Sequence, residues 1–498
     1  MKSLLTALTA AVLCAAPIAA QPLILGPELL VAPPSGAAHS ARVAAAPHGG
    51  FAVVWHETQI LLRVFGADGT PLSGVVQLSA PGPGLTSISP EIAALASGGY
   101  VVVWSDVGTI EPLQQPKVAG RIVDAMGQPA GPEIRLPAGT LAPDVAAYSS
   151  GDFVLTWLSE PFSHQKSARR FDDSGAPVSD EVVVQVGENH KMATLPGDRL
   201  VVAWERLFPV PGGLVSDVLF RIFGPDLLPL SPEVRVHGPE LPDNAWPQIS
   251  ADATGRFVIA WKATATDTAG RQTVPQQVRA RIFGPDGSAQ SPEILVRTAP
   301  TLQDVNQPAA VALRSDGNFL VVWWTLSEID LFARWYRPDG TPGGESFPIP
   351  VSPGNQFEGD AAPTAGGWVV VWDHFRSDAP DSGPRFRQIG LPCPGLCLNG
   401  NRFRAEVSWR TPNGDEGTGT PIPLTGDTGA FWFFQPSNYE LAVKVLDGRG
   451  VNGHFWVFYG SLTNVEFDLT VTDTVTGEQR TYHNPAGTMA SRADTTAF

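Results

Sequence analysis

Seven times along its length the chain writes nearly the same apolar strand. "GGFAVVWHE" at residues 49–57 is followed by "GGYVVVWSD", "GDFVLTWLS", "DRLVVAWER", "GRFVIAWKA", "GNFLVVWWT" and "GGWVVVWDH". The tryptophans that close these runs are Trp55, Trp104, Trp157, Trp204, Trp261, Trp323 and Trp372, spaced 47 to 62 residues apart. A period near fifty built from strand-like units points to a radial array rather than a helical solenoid. Along Phe51–Trp55, residues 51, 53 and 55 point one way and 52 and 54 the other. A strand with one wet face would alternate with polar residues, so a continuous apolar run needs cover on both sides. Stacked units around an axis provide it. Each tryptophan is then expected to be a structural wedge between units. A row of sugar-stacking tryptophans is the functional alternative, and the burial pattern disfavours it.

Each unit carries about four strand candidates. The third and fourth form a hairpin with its own signature, as in "RVFGADGTP", "RIFGPDGSA" and "RWYRPDGTP". Asp-Gly or its equivalent marks a turn that wants φ > 0. An arginine stands six residues before the turn position, at Arg63, Arg121, Arg169, Arg221, Arg281 and Arg334. A glutamate often stands six after it. Equal distances from one turn place the two opposite each other on an antiparallel ladder. Cross-strand pairs are therefore expected at Arg121 with Glu133 and Arg281 with Glu293, each adding about 0.2–1 kcal/mol.

The last unit lacks its fourth strand, and a matching segment, "LILGPELLVAP", stands at residues 23–33. Ring closure by the N-terminal strand follows. This arrangement resembles the strand-exchange closure of the β-propeller family over residues 22–390. The resemblance implies a seven-bladed β-propeller and no particular activity, because propellers host many functions. From Leu398 the repeat stops. "RFRAEVSW", "YELAVKVLDG", "HFWVFYGSL" and "VEFDLTVTDT" read as strands of a small β-sandwich. Residues 397–498 resemble a C-terminal module that recurs on secreted bacterial proteins, which implies at most a display or attachment role. The expected fold class is thus all-β: a propeller over 21–390, a Pro/Cys linker over 391–397 and a sandwich over 398–498.

Residues 1–20 read as a secretory signal, with Lys2, an apolar run and "APIAAQ". Export to the cell surface or medium is the expected localisation. Beyond the signal only Cys393 and Cys397 remain, and an exported context favours a disulfide between them. The formal charge of −16 argues against nucleic acid as a partner. No later stretch is long and apolar enough to span a bilayer.

In up-and-down units, the second-to-third loops and the links between units share one end of the ring, and the tight turns share the other. The first end carries the variable segments, such as "RLFPVPGGLVSD" after Trp204. Variable loops on a rigid ring are where a binding site sits. The same end carries Glu57, Asp106, Glu160, Glu205 and Asp373 just after the tryptophans. These five are the candidate ligand-binding residues. Solvated strand ends are the plainer reading of them. A second, chemically mixed set stands at the first-strand starts: Glu91, Asp144, His190, Gln248 and Asn306. No nucleophile elbow, phosphate loop, calcium loop or paired-histidine motif occurs, so no catalytic residue, metal or cofactor is assigned. The functional expectation is a non-catalytic exported scaffold that binds a protein or a carbohydrate. The alternative is a glycoside hydrolase or polysaccharide lyase that uses the acids of the same face.

Overall fold

A computed structural model of the protein describes residues 24–498, apart from 37, 48, 83, 109–114, 160–164, 211–212, 268–270, 327–328, 377–380, 392–394, 400–401, 475 and 477. The expected signal at 1–20 lies outside the described residues, as do Glu160 and Cys393. Cys397, half-buried on the strand Leu396–Leu398, is the described half of the expected disulfide.

The described chain is almost wholly β. Seven four-stranded antiparallel sheets come first, and two five-stranded sheets follow. The first sheet runs in chain order through His39–Ala45, Phe51–His56, Ile60–Phe65 and Val76–Gln77. The next five repeat that order. The seventh takes three strands from Asn355–Thr364, Gly367–Phe375 and Gly383–Gly390, and its fourth from the N-terminal Ile24–Leu30. Leu25 pairs with Ile389 and Leu30 with Arg385. Glu28 fastens this junction. Its carboxylate accepts the N–H groups of Val351 and Ser352 and binds Arg385 at 2.7 Å. Burial pushes the Glu28 carboxyl up, but these donors outweigh it and hold the group below its usual range.

The first strands of the seven sheets pack in succession, and the strand of the seventh returns to that of the first. They therefore form a closed inner ring. Side chains of each second strand divide between two neighbouring sheets. Phe51, Val53 and Trp55 pack with Val369, Val371 and Phe386 of the seventh sheet. Ala52 and Val54 pack with Tyr100, Val102 and Trp104 of the second. The same interleaving recurs at the other five seams. All seven repeat tryptophans lie in these seams, none more than 2% exposed. Removing one such side chain would cost about 3–5 kcal/mol.

The repeated arginines do something the ladder pattern does not suggest. Arg121 pairs with Glu133 at 3.3 Å, as expected. Arg281 does not meet Glu293. It donates to the carbonyls of Ser291 and of Val236 in the preceding sheet, and Glu293 is held by Arg279 and the Gly238 N–H. The physical reason lies two residues earlier: Arg279 takes the Glu293 carboxylate, whereas the second sheet has Ala119 at that place. Arg63 likewise donates to Val31, Arg121 to Leu78 and Arg387 to Ile349, each on the sheet before its own. The arginine is a clip between sheets, and its planar fork suits two carbonyls at once.

Residues after 395 form the two five-stranded sheets, which enclose one core around Phe403, Phe431, Val443, Val457, Phe467 and Leu469. A single helical turn, Arg449–Asn452, interrupts them.

Candidate functional site

Every first strand carries a register irregularity near its start: between His39 and Arg42, Ile88 and Glu91, Leu141 and Asp144, Glu188 and Lys191, Ala245 and Gln248, Pro308 and Ala310, and Phe357 and Asp360. A β-bulge adds a residue and re-aims its neighbours. In six of the seven, the residue two places before the re-paired one has positive φ: Ser40, Ser89, Ala142, Asn189, Trp246 and Glu358, at 41° to 59°. The sixth sheet has Pro308 there, which cannot adopt that conformation. Left-handed backbone in non-glycine residues is uncommon, and in a bulky aromatic such as Trp246 it is an outlier. Six repetitions at one level of the inner ring make the bulge part of the architecture.

The bulges are fastened from the neighbouring sheet. Asp373 accepts the N–H groups of Ser40 and Ala41 at 2.5 and 3.2 Å across the closing seam. Ser105 Oγ accepts the N–H of Ala142. Glu205 accepts the N–H of Trp246 and the amide of Asn189. Asp373, Ser105 and Glu205 each directly follow a repeat tryptophan, so one sequence position serves one structural task. Asp106 accepts from Ser87 Oγ and from the indole of its own Trp104. Glu57 is half-buried at a turn, where its N–H donates to Gln59. Asp106, Glu205 and Asp373 are thus engaged in holding strands together.

What converges is the tier just inside the bulges. The re-paired residues are Arg42, Glu91, Asp144, Lys191, Gln248, Ala310 and Asp360, one from each sheet. Glu91 binds Lys191 at 2.8 Å and approaches Arg42 at 3.5 Å. Lys191 stands two sheets away from Glu91, so the pair reaches across the lumen. Arg42 also lies 3.7 Å from Glu358. Burial alone would lower the Arg42 and Lys191 pKa values, but the surrounding carboxylates outweigh it and hold both cations charged. Burial pushes Glu91 up, yet Lys191 and Arg42 bring it below its usual value. Asp144 lacks such close partners, and burial raises it to about 6. Burial and the Glu358 charge raise Asp373 to about 7. Near Asp144, the Lys166 amine is driven down to about 8 by burial. His190 is buried against the Thr156 hydroxyl, at 2.6 Å, and held well below its ordinary pKa by burial and by Lys166 and Lys191. Glu91, Asp144 and His190 belong to the mixed first-strand set; Arg42, Lys191 and Asp360 were missed. Pro90, Pro143 and Pro247 precede Glu91, Asp144 and Gln248, and proline inside a sheet marks an edge or a bulge; Arg42, Lys191 and Asp360 follow Ala41, His190 and Gly359 and carry no such signal.

Around this mouth runs an aromatic arc. Trp246 is 42% exposed, and Phe357 and Phe375 are exposed on the seventh sheet. Trp324 of the sixth lies 6.2 Å from Phe357. Beside Trp246 stands a wall. The segment after Trp204 is not a loop but a continued hairpin, Arg199–Val210 paired with Gly213–Phe223. It runs six residues past the tryptophan, about 20 Å. Ser216 fixes it to Asp243 at the start of the fifth sheet's inner strand.

At the opposite end, a cleft of about 950 Å³ separates the turns from the C-terminal sheets. Its charges are already partnered: Arg314 with Asp316 and backbone carbonyls, Arg402 with Asp473, Arg449 with Asp447. Among the described residues, no group of three or more His, Cys, Asp or Glu could hold a metal ion, and no helix is long and apolar enough to cross a membrane.

No protein-family model matches the chain, and no curated protein does. Solved structures that resemble it include an ulvan lyase of a new polysaccharide lyase family, at 12% identity and a TM-score of 0.46, covering 74% of this chain and 96% of that one. A second polysaccharide lyase matches at 10% identity and 0.45, covering 72% and 90%. An α-L-arabinanase of Penicillium chrysogenum matches at 16% and 0.34, covering 54% and 88%. Likeness at this level assigns no activity.

Proposed function

We propose that the protein is an exported seven-bladed β-propeller that binds carbohydrate at the mouth of its lumen. The seven four-stranded sheets are its blades. The two C-terminal sheets are a β-sandwich for display or attachment, joined by a linker that a Cys393–Cys397 disulfide tightens. The observation that carries the reading is Trp246. A large aromatic is held in a left-handed conformation by Glu205, exposed at the inner rim, beside charged groups that converge from five sheets. An exposed indole offers the apolar face of a sugar ring a stacking surface, and the charged tier offers hydrogen bonds to hydroxyls. A glycan array probed with the full chain and with Trp246→Ala tests it. Binding to a defined glycan class that the variant loses supports the proposal; silence across the array, or binding that the variant keeps, refutes it.

A second reading is a glycoside hydrolase or polysaccharide lyase at the same mouth. It is favoured by Asp144 and Lys166, a carboxyl raised towards neutrality near an amine lowered towards it, the kind of divergence that sorts acids from bases. Release of reducing ends or unsaturated products from a polysaccharide, abolished by Asp144→Asn, supports this reading. Turnover unchanged by that substitution removes it.

A further inference from the structure

This inference rests on the carbohydrate reading and narrows the class of sugar. Five carboxylates face the lumen mouth: Glu91, Asp144, Glu358, Asp360 and Asp373. The cations that act on them are Arg42, Lys191 and, at Asp144, Lys166. Four of the five act on Arg42, and Glu91 also carries Lys191. Asp360 is bonded to the N–H groups of Val43 and Ala361. Asp144 differs. It is 7% exposed, and its Oδ1 accepts the neighbouring Val145 N–H. Its Oδ2 is buried with no hydrogen-bond partner among the described residues. Lys191, Glu91 and Lys166 are within electrostatic range of it, but Lys191 is bonded to Glu91, and Lys166 reaches the Ala142 carbonyl at 3.4 Å. A buried carboxylate oxygen left without a donor is a rare and costly feature. A neutral hydroxyl would give it one hydrogen bond. An ammonium would give a charge-assisted bond and offset the excess of negative charge. At the rim, the exposed Trp246 indole attracts a cation as well as a sugar face.

We propose that the lumen mouth selects a cationic amino-sugar glycan, its protonated amino group directed to Asp144 Oδ2 and a sugar ring seated on Trp246. The test is calorimetric titration of the full chain, near neutral pH, with a glucosamine hexamer, its fully N-acetylated counterpart and cellohexaose. The charged oligomer is expected to bind about tenfold tighter than either neutral one. Asp144→Asn should remove most of that preference, weakening the charged oligomer far more than the two neutral ones. Glu358→Gln, at the exposed rim, should reduce the preference about two- to threefold and guards against a folding defect in the first variant. Trp246→Ala should weaken all three oligomers. Equal affinities, or a preference that survives Asp144→Asn, overturn the inference and leave the carbohydrate reading standing. Binding by none of the oligomers, together with silence on the glycan array, removes both.

Discussion

Replacing Glu28 by glutamine should loosen the closure of the ring locally. The Glu28 and Arg385 side chains are 4% and 11% exposed and 2.7 Å apart. Breaking a buried ion pair by removing one charge costs about 3–5 kcal/mol. Part is retained here, since both N–H groups bond to one carboxylate oxygen, Oε2, and the amide oxygen can take its place. Arg385 also keeps Ser352 Oγ at 2.9 Å and Asp381 at 3.1 Å. The lower end, about 3 kcal/mol, is therefore expected, which corresponds to roughly a hundredfold in an opening equilibrium. Hydrogen exchange reads it directly. Amides of Ile24–Leu30 and their partners on Gly383–Gly390 should exchange about a hundredfold faster, with the third and fourth sheets little changed. Because the folded Glu28 carboxyl lies below its usual value, its contribution is present above about pH 4.5 and lost as pH falls through the folded pKa. The effect of the substitution should shrink below that window. Unchanged exchange at Ile24–Leu30, or equal acceleration in every sheet, would refute the reasoning.

Asp373 should act in the opposite sense. Its folded pKa is raised to about 7, so its contribution is full below the unfolded value of about 4 and lost as pH rises to about 7; Asp373→Asn should flatten the urea midpoint over that range. Double-mutant cycles should give about 0.2–1 kcal/mol of coupling for Arg121 with Glu133 and for Arg279 with Glu293, and none for Arg281 with Glu293. Gly448→Ala should destabilise the C-terminal sheets by about 1–3 kcal/mol, because the added Cβ would lie 2.1 Å from the Trp456 ring; a melting profile of the C-terminal module unaffected by the substitution would contradict that.

The sequence made the ring legible because its strongest requirement, an apolar second strand covered on both faces, is written seven times. The N-terminal closure was legible for the same reason: a seventh copy of a fourth strand stood ahead of the first unit, and one place was unfilled. The bulges were not, since their left-handed positions hold Ser twice, then Ala, Asn, Trp and Glu, and no one residue type runs through them. Nor could a strand pattern show that Lys191 meets Glu91 a hundred residues earlier, which only closure brings together. The pairing of Arg121 with Glu133 was legible, whereas Arg281 and the inter-sheet contacts were missed because register within one sheet was considered without the carbonyls of the next. Glu205 and Asp373 looked like surface acids because the N–H groups they bind belong to a bulge in another sheet. Packing of one sheet against the next hid the clips and the bulge contacts from a strand-by-strand reading.

Hydroxyl-radical footprinting of the full chain, with and without a glycan it binds, tests most directly where the ligand sits. Protection is expected at Trp246 and Phe357 on the lumen rim, with Met126 and Leu228 at the turn end unchanged. Protection confined to the turn end or to Trp456 of the C-terminal sheets would contradict a site at the lumen mouth.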